Sequence, residues 1–123
     1  SEEHLKTAIK IISTPVIAEI MINRQMAKTY EKQMKWEEAL ALYQSILETN
    51  PSDFSARMDA LFIIDYQLKD RDRALQKYKD ALHVLEKDSL DDHNKQKQVR
   101  KYFKRRIKKL QEEEFWRAEV DRE

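Results

Sequence analysis

The three histidines are the first residues to consider for metal binding or acid–base catalysis. His4, His83 and His93 lie far apart along the chain. None has another histidine three or four residues away, so they cannot form a metal-binding helix face. Asp91 and Asp92 precede His93, but carboxylates are common at the start of a helix because they interact favourably with its dipole. We therefore expect no metal site.

Nucleophilic and phosphate-binding chemistry also lack candidate residues. The 123-residue chain contains no Cys and no Gly. It therefore has no thiol nucleophile, no cysteine zinc site and no glycine-rich loop that could surround a phosphate. We predict a protein that is not an enzyme and uses no cofactor. The lack of Cys fits an intracellular protein, cytoplasmic or nuclear, and no apolar run is long enough for a membrane span.

Charge is distributed unevenly behind a net charge of +1. Residues 93–110 hold nine basic and no acidic side chains, whereas residues 111–123 hold two basic and six acidic ones. We name eight of the basic side chains the basic patch: Lys97, Arg100, Lys101, Lys104, Arg105, Arg106, Lys108 and Lys109. The patch could bind nucleic acid or an acidic polymer, or it could be a solvated face paired with the glutamates that follow. Few aromatic residues are interleaved for base stacking, so nucleic acid is not favoured.

The sequence pattern predicts a helix for every segment that positions these residues. Apolar residues recur at helical spacing, and both prolines stand beside segment boundaries, at Thr14-Pro15 and Asn50-Pro51. These signals predict an all-α fold of five to six helices, over about 1–14, 15–33, 36–49, 53–68, 71–87 and 91–121. The last would be a long capping helix.

An internal repeat links two of these helices. Ala39, Tyr43 and Ile46 recur 35 residues later as Ala74, Tyr78 and Ala81. Around the first set stand Ala27, Tyr30, Trp36 and Pro51. This pattern resembles the tetratricopeptide repeat (TPR), a helix–turn–helix unit of 34 residues. The second copy fits only with one residue inserted near Lys69-Asp70, and it lacks the closing proline.

The resemblance implies one TPR-like helical-repeat domain over residues 1–123. Its parts would be an N-terminal cap helix (1–14), repeat 1 (20–53), a degenerate repeat 2 (54–88) and the long C-terminal helix (89–123). We expect the chain to be a fragment of a larger protein, since it lacks an initiating Met. The family implies a non-catalytic scaffold that takes part in protein–protein interaction. The alternative is nucleic-acid or acidic-polymer binding through the basic C-terminal helix.

The first helix of each repeat usually lines a groove in this family. The matching residues that could bind a partner are Arg24, Lys28, Glu31, Met58, Asp59, Phe62 and Asp65. Some members clamp the C-terminal carboxylate of chaperones with Lys and Asn. Here Arg24 stands where the clamp has Lys, Lys28 replaces one Asn, and Asp59 replaces the second. Because Asp59 would repel a carboxylate, chaperone-tail binding is disfavoured. Alternatively, the first or last helix fills the groove.

The end of the last helix carries large apolar residues beyond the expected core positions. We name Phe115, Trp116 and Val120 the C-terminal apolar site. If the helix continues straight, these residues are exposed and could dock on a protein partner or on a second copy of the chain. If the helix bends back near Gln111, they complete the core instead.

Overall fold

The computed structural model describes residues 14–87 and 93–122, which form helices and no strand. The all-α fold class is thereby confirmed. A π-helical segment, Ile63–Gln67, directly follows the third of the five α-helices. The helices are α1 (Thr14–Lys32), α2 (Trp36–Thr49), α3 (Phe54–Phe62), α4 (Arg71–Lys87) and α5 (His93–Asp121). The expected N-terminal cap helix lies outside the described residues.

The first of two compact units ends at Ile63. Within it α1 packs on α2, and α2 packs on α3. Ala27, Ala39, Tyr43 and Ile46 are fully buried there. Small residues at a helix contact allow the two backbones to approach closely, while the tyrosine fills the space beside them. The unit is therefore organised around the residues of the first repeat pattern.

Local sequence signals fix the helix ends in this unit. Helix α2 ends at Thr49. The next residue, Asn50, precedes Pro51, and the proline ring disfavours helical dihedral angles in the residue before it. Asp53 caps α3, and its carboxylate accepts a hydrogen bond of 3.0 Å from the backbone N–H of Ala56. These signals end α2 and start α3 where the sequence predicts it, but α3 gives way to the π-helical segment at Ile63, before the expected helix end near residue 68.

The second unit, which starts at Ile64, is built on the pairing of α4 with α5. Ala74, Tyr78 and Ala81 of α4 are buried, as are Phe103 and Leu110 of α5. Helix α4 has 17 residues and α5 has 29, which correspond to about 25 and 43 Å at 1.5 Å per residue. Helix α4 can therefore pack against only part of the length of α5. None of the helices in the described part of the chain has the length and apolar content to cross a membrane.

Matching turns follow α1 and the π-helical segment. Met34 and Lys69 stand 35 positions apart and both have positive φ, 60° and 53°. After α1, the N–H of Lys35 donates to the carbonyl of Tyr30, at 2.9 Å. At the second turn, the N–H of Asp70 donates to the carbonyl of Ile64, at 3.1 Å, and so encloses one residue more. A π-helical turn takes up one residue more than an α-helical turn, so the π-helical segment accommodates this extra residue.

The two left-handed turn residues lead to a stability prediction. A non-glycine residue in this conformation costs roughly 1 kcal/mol because its Cβ crowds the backbone. The Met34 side chain is 75% exposed, so few contacts are lost on its removal. We expect Met34→Gly to raise the free energy of unfolding by about 0.5–1 kcal/mol in urea denaturation, and Lys69→Gly to act likewise. The control Gln33→Gly, at a residue without positive φ, should lower it. Destabilisation by both turn variants would contradict the prediction.

Candidate functional site

A tyrosine donates to a carboxylate at equivalent places in the two units. The Tyr43 hydroxyl donates to Glu31 at 3.0 Å, and the Tyr78 hydroxyl donates to Asp65 at 2.7 Å. Burial raises the pKa of Tyr43 well above its ordinary value, and the hydrogen bond to Glu31 adds to the effect. The pKa of Tyr78 is raised by burial and by its hydrogen bonds to Tyr102 and Asp65. Both hydroxyls therefore stay protonated and act as donors.

Asp65 is the centre of a larger polar network in the second unit. Although it is only 8% exposed, its carboxylate receives two hydrogen bonds from Arg106. Arg106 Nε lies 3.0 Å from Oδ2, and Nη2 lies 2.6 Å from Oδ1. Burial alone would lower the pKa of Arg106, but the hydrogen bond and charge of Asp65 raise it. This bidentate ion pair connects the π-helical segment to α5.

Three tyrosine side chains extend the network. The hydroxyls of Tyr66 and Tyr102 are hydrogen-bonded, and the hydroxyls of Tyr78 and Tyr102 lie 3.4 Å apart. The guanidinium carbon of Arg106 lies 5.5 Å from the centre of the Tyr66 ring, a distance typical of a cation–π contact. Burial, followed by the hydrogen bond to Tyr102, raises the pKa of Tyr66 to about 12. These contacts hold the charged and aromatic groups of the network together.

An open depression of about 300 Å³ adjoins this network. Its charged lining consists of Asp65, Lys69, Arg71, Arg106 and Glu113. Arg106 pairs with Asp65, and Arg71 pairs with Glu113 at 3.2 Å. Because four of the five charges are already paired, the depression has little capacity to attract an ionic ligand.

The residues expected to line one groove are divided between the two units. In the first unit Arg24 pairs with Asp53, the cap of α3, while Lys28 is exposed. Asp59 is half-buried; burial raises its pKa, and the charges of Arg24 and Lys28 act against this rise. The remaining candidates differ in environment: Glu31 accepts from Tyr43, Met58 is half-buried, Phe62 is exposed, and Asp65 belongs to the buried network of the second unit.

Most of the basic patch is exposed and forms no ion pair within the part of the chain that the structure describes. Arg106 points to Asp65, and Arg100 is half-buried. Glu113 pairs with Arg71 instead of with a lysine of the patch. Six side chains are exposed and form no ion pair with any described residue: Lys97, Lys101, Lys104, Arg105, Lys108 and Lys109. Their positive charge is therefore available to solvent or to a ligand.

The C-terminal apolar site lies on an uninterrupted helix. Helix α5 continues through Gln111 without a break, and Arg117 reaches Asp72 near the start of α4, at 3.4 Å. Phe115, Trp116 and Val120 are 59%, 66% and 68% exposed. The rings of the two aromatic residues touch each other edge to face, with centroids 5.7 Å apart. These three side chains are thus left largely to solvent.

Comparisons with known proteins add no identification. No family model, no curated protein and no solved structure matches the chain significantly. Among the residues that the structure describes, no group of three or more His, Asp or Glu side chains could hold a metal ion.

The buried ion pair leads to a prediction about stability. Arg106→Met would leave the Asp65 carboxylate buried without its cation, and we expect a loss of about 2–4 kcal/mol in the free energy of unfolding. Adding Asp65→Asn to that variant removes the uncompensated charge and should recover part of the loss.

The measurement is urea denaturation followed by circular dichroism. Lys104→Met, which removes a cation from the exposed side of the same helix, is the matched control and should change stability by less than about 0.5 kcal/mol. Equal stability of Arg106→Met and the parent would show that the ion pair does not stabilise the unit.

Proposed function

We propose that the chain is a non-catalytic, TPR-like protein-interaction module that binds a protein partner through the C-terminal apolar site. The observation that carries this proposal is the exposure of Phe115, Trp116 and Val120 on α5. Large apolar groups surrounded by charge often mark contact surfaces, and tryptophan is enriched among residues that dominate binding energy.

The repeat architecture in this proposal is supported by equivalent contacts in the two units. Tyr43 and Tyr78 are both buried, and each donates to a carboxylate near the end of a preceding helical segment. The turns at Met34 and Lys69 share their backbone conformation and the 35-residue offset. An internal duplication explains why contacts, burial and turn geometry recur together.

The position of the apolar site relative to α4 supports a role in binding. Helix α4 begins at Arg71, and its first two residues pair with Glu113 and Arg117 of α5. The last turn of α5 therefore extends past the start of its neighbour. Because Trp116 and Val120 share one side of the helix by their spacing of four residues, a partner could contact both at once.

This proposal predicts a selective loss of binding. We expect Trp116→Ala, Val120→Ala to leave the melting temperature nearly unchanged, because both side chains are mainly exposed. As immobilised bait in a cell extract, the double variant should retain partner proteins at least about tenfold less than the parent chain. The control Gln98→Ala, Gln111→Ala alters two exposed residues of the same helix and should retain them normally. A large drop in melting temperature, or unchanged retention, would contradict the proposal.

A second candidate function is the binding of nucleic acid or another acidic polymer by the basic patch. The observation that favours it is that six of the eight cations are exposed and unpaired among the described residues. At about 100° per residue, Lys97, Lys101, Lys104 and Lys108 follow one face of α5. Such a row can contact successive phosphates and release their counterions.

The second candidate predicts binding that depends steeply on salt. Lys104→Glu, Lys108→Glu should lower the slope of log affinity against log salt for a DNA oligonucleotide by about two, because two phosphate contacts are removed. The affinity can be measured by fluorescence anisotropy. Lys28→Glu, Lys32→Glu makes the same change of net charge on exposed positions of α1 and should leave most of the slope intact. Equal effects of the two variants would exclude the patch as a specific site.

A further inference from the structure

The exposed side of α5 is basic in its first part and acidic in its last part. Two copies of α5 that run in opposite directions would therefore bring opposite charges together. Basic side chains occupy its first part and acidic ones follow after Leu110. Arg105, Lys109, Glu112 and Trp116 recur at intervals of four, three and four residues, so they lie on one face. All four are exposed, and none forms an ion pair with a described residue.

The positions of these four residues are spaced symmetrically about a point between Leu110 and Gln111. Lys109 and Glu112 are equally distant from it, and so are Arg105 and Trp116. In an antiparallel pair of α5 helices related by a twofold axis, each residue of the contacting face lies opposite the one at the mirrored position. Lys109 of each copy then faces Glu112 of the other, and each Arg105 faces a Trp116 ring.

We propose that a second copy of this chain binds this face of α5 in the antiparallel direction. The inference rests on the proposed protein-binding function and names the partner. The closed interface then holds two ion pairs and two cation–π contacts in total, because a twofold contact uses the same surface on both molecules. The covered ends include Trp116, the most bulky exposed residue of the C-terminal apolar site.

Charge also excludes the competing arrangement. If two α5 helices paired in parallel, Lys109 would face Lys109 and Glu112 would face Glu112. Like charges in contact disfavour that register, so the pattern selects the antiparallel direction. One helix face of this length is small for a protein interface, and we therefore expect a dimer that is weak, concentration-dependent and sensitive to salt.

The experiment is sedimentation of the full chain at low and physiological salt, with charge-swap variants. Lys109→Glu alone and Glu112→Lys alone place like charges opposite each other at two symmetric positions, so each should weaken self-association by roughly tenfold or more. The double variant Lys109→Glu, Glu112→Lys restores opposite charges and should dimerise like the parent. An equal mixture of the two single variants should form a heterodimer, since every pair is then complementary.

Two controls make the result specific. Lys104→Glu makes the same charge change as Lys109→Glu but lies on another face of α5, so it should leave the dimer within about threefold of the parent. Trp116→Ala should weaken the dimer without changing the charge. The proposal is overturned if the parent stays monomeric at millimolar concentration and low salt, if neither the double variant nor the mixture recovers, or if Lys104→Glu is as damaging as Lys109→Glu.

The same data separate this inference from the proposed function. A monomeric parent whose protein partners are lost in Trp116→Ala, Val120→Ala would refute self-pairing and leave heterologous protein binding in place. Binding of an oligonucleotide by a monomeric parent, abolished by Lys104→Glu, Lys108→Glu, would assign α5 to anionic polymers and refute self-pairing as well.

Discussion

The burial of one carboxylate, that of Asp65, constrains the whole second unit. Asp65 directly follows Ile63 and Ile64, which are buried, so the backbone carries its carboxyl group into an apolar setting. Its loss of hydration must be offset by donors from other elements, and Arg106 and Tyr78 supply them. Because Arg106 points inward together with the buried Phe103 and Leu110, these three side chains set which side of α5 faces the core. The exposure of its lysines and of Trp116 follows from that setting.

The first unit uses the same device with less burial. Glu31 is half-buried and accepts from Tyr43, and no arginine of the described residues forms an ion pair with it. Asp65 has a shorter side chain than glutamate, and it lies deeper. The extra residue in the π-helical segment changes the register just where Asp65 must meet Tyr78. The tyrosine–carboxylate contact of the second unit, unlike that of the first, also anchors another helix through Arg106.

Local sequence signals predict most of the helices, but they do not predict contacts between residues that are far apart in the sequence. Pro51, Asp53 and Asp70 stand at helix boundaries, and the expected ranges of α2 and α4 coincide with the structure. The one-residue insertion between the two repeat patterns indicates an irregularity near Lys69-Asp70, but it does not predict that the extra residue is taken up by a π-helical turn at Ile63–Gln67. Asp65 and Arg106 are 41 positions apart. The family resemblance places Asp65 in a partner-binding groove and the charge pattern places Arg106 in the basic patch, and neither signal links the two residues. The recurrence of an acid 12 or 13 residues before each repeated tyrosine was a signal that could have linked Asp65 to Tyr78.

The separation of charge along α5 limits what the helix can recognise. Near Lys104 its exposed side attracts anions, but beyond Gln111 the glutamates repel them, so a long anionic polymer would have to leave the helix before its end. A partner surface that places acidic groups opposite the basic part of α5 and basic groups opposite its glutamates is attracted along the whole helix. A second α5 that runs in the opposite direction has this arrangement. The apolar site lies in the acidic half, where an arginine-bearing surface can contact both Trp116 and the neighbouring carboxylates. Charge therefore favours a partner with a short basic segment next to an acidic one. The basic patch and the apolar site together are thus more selective than either surface alone.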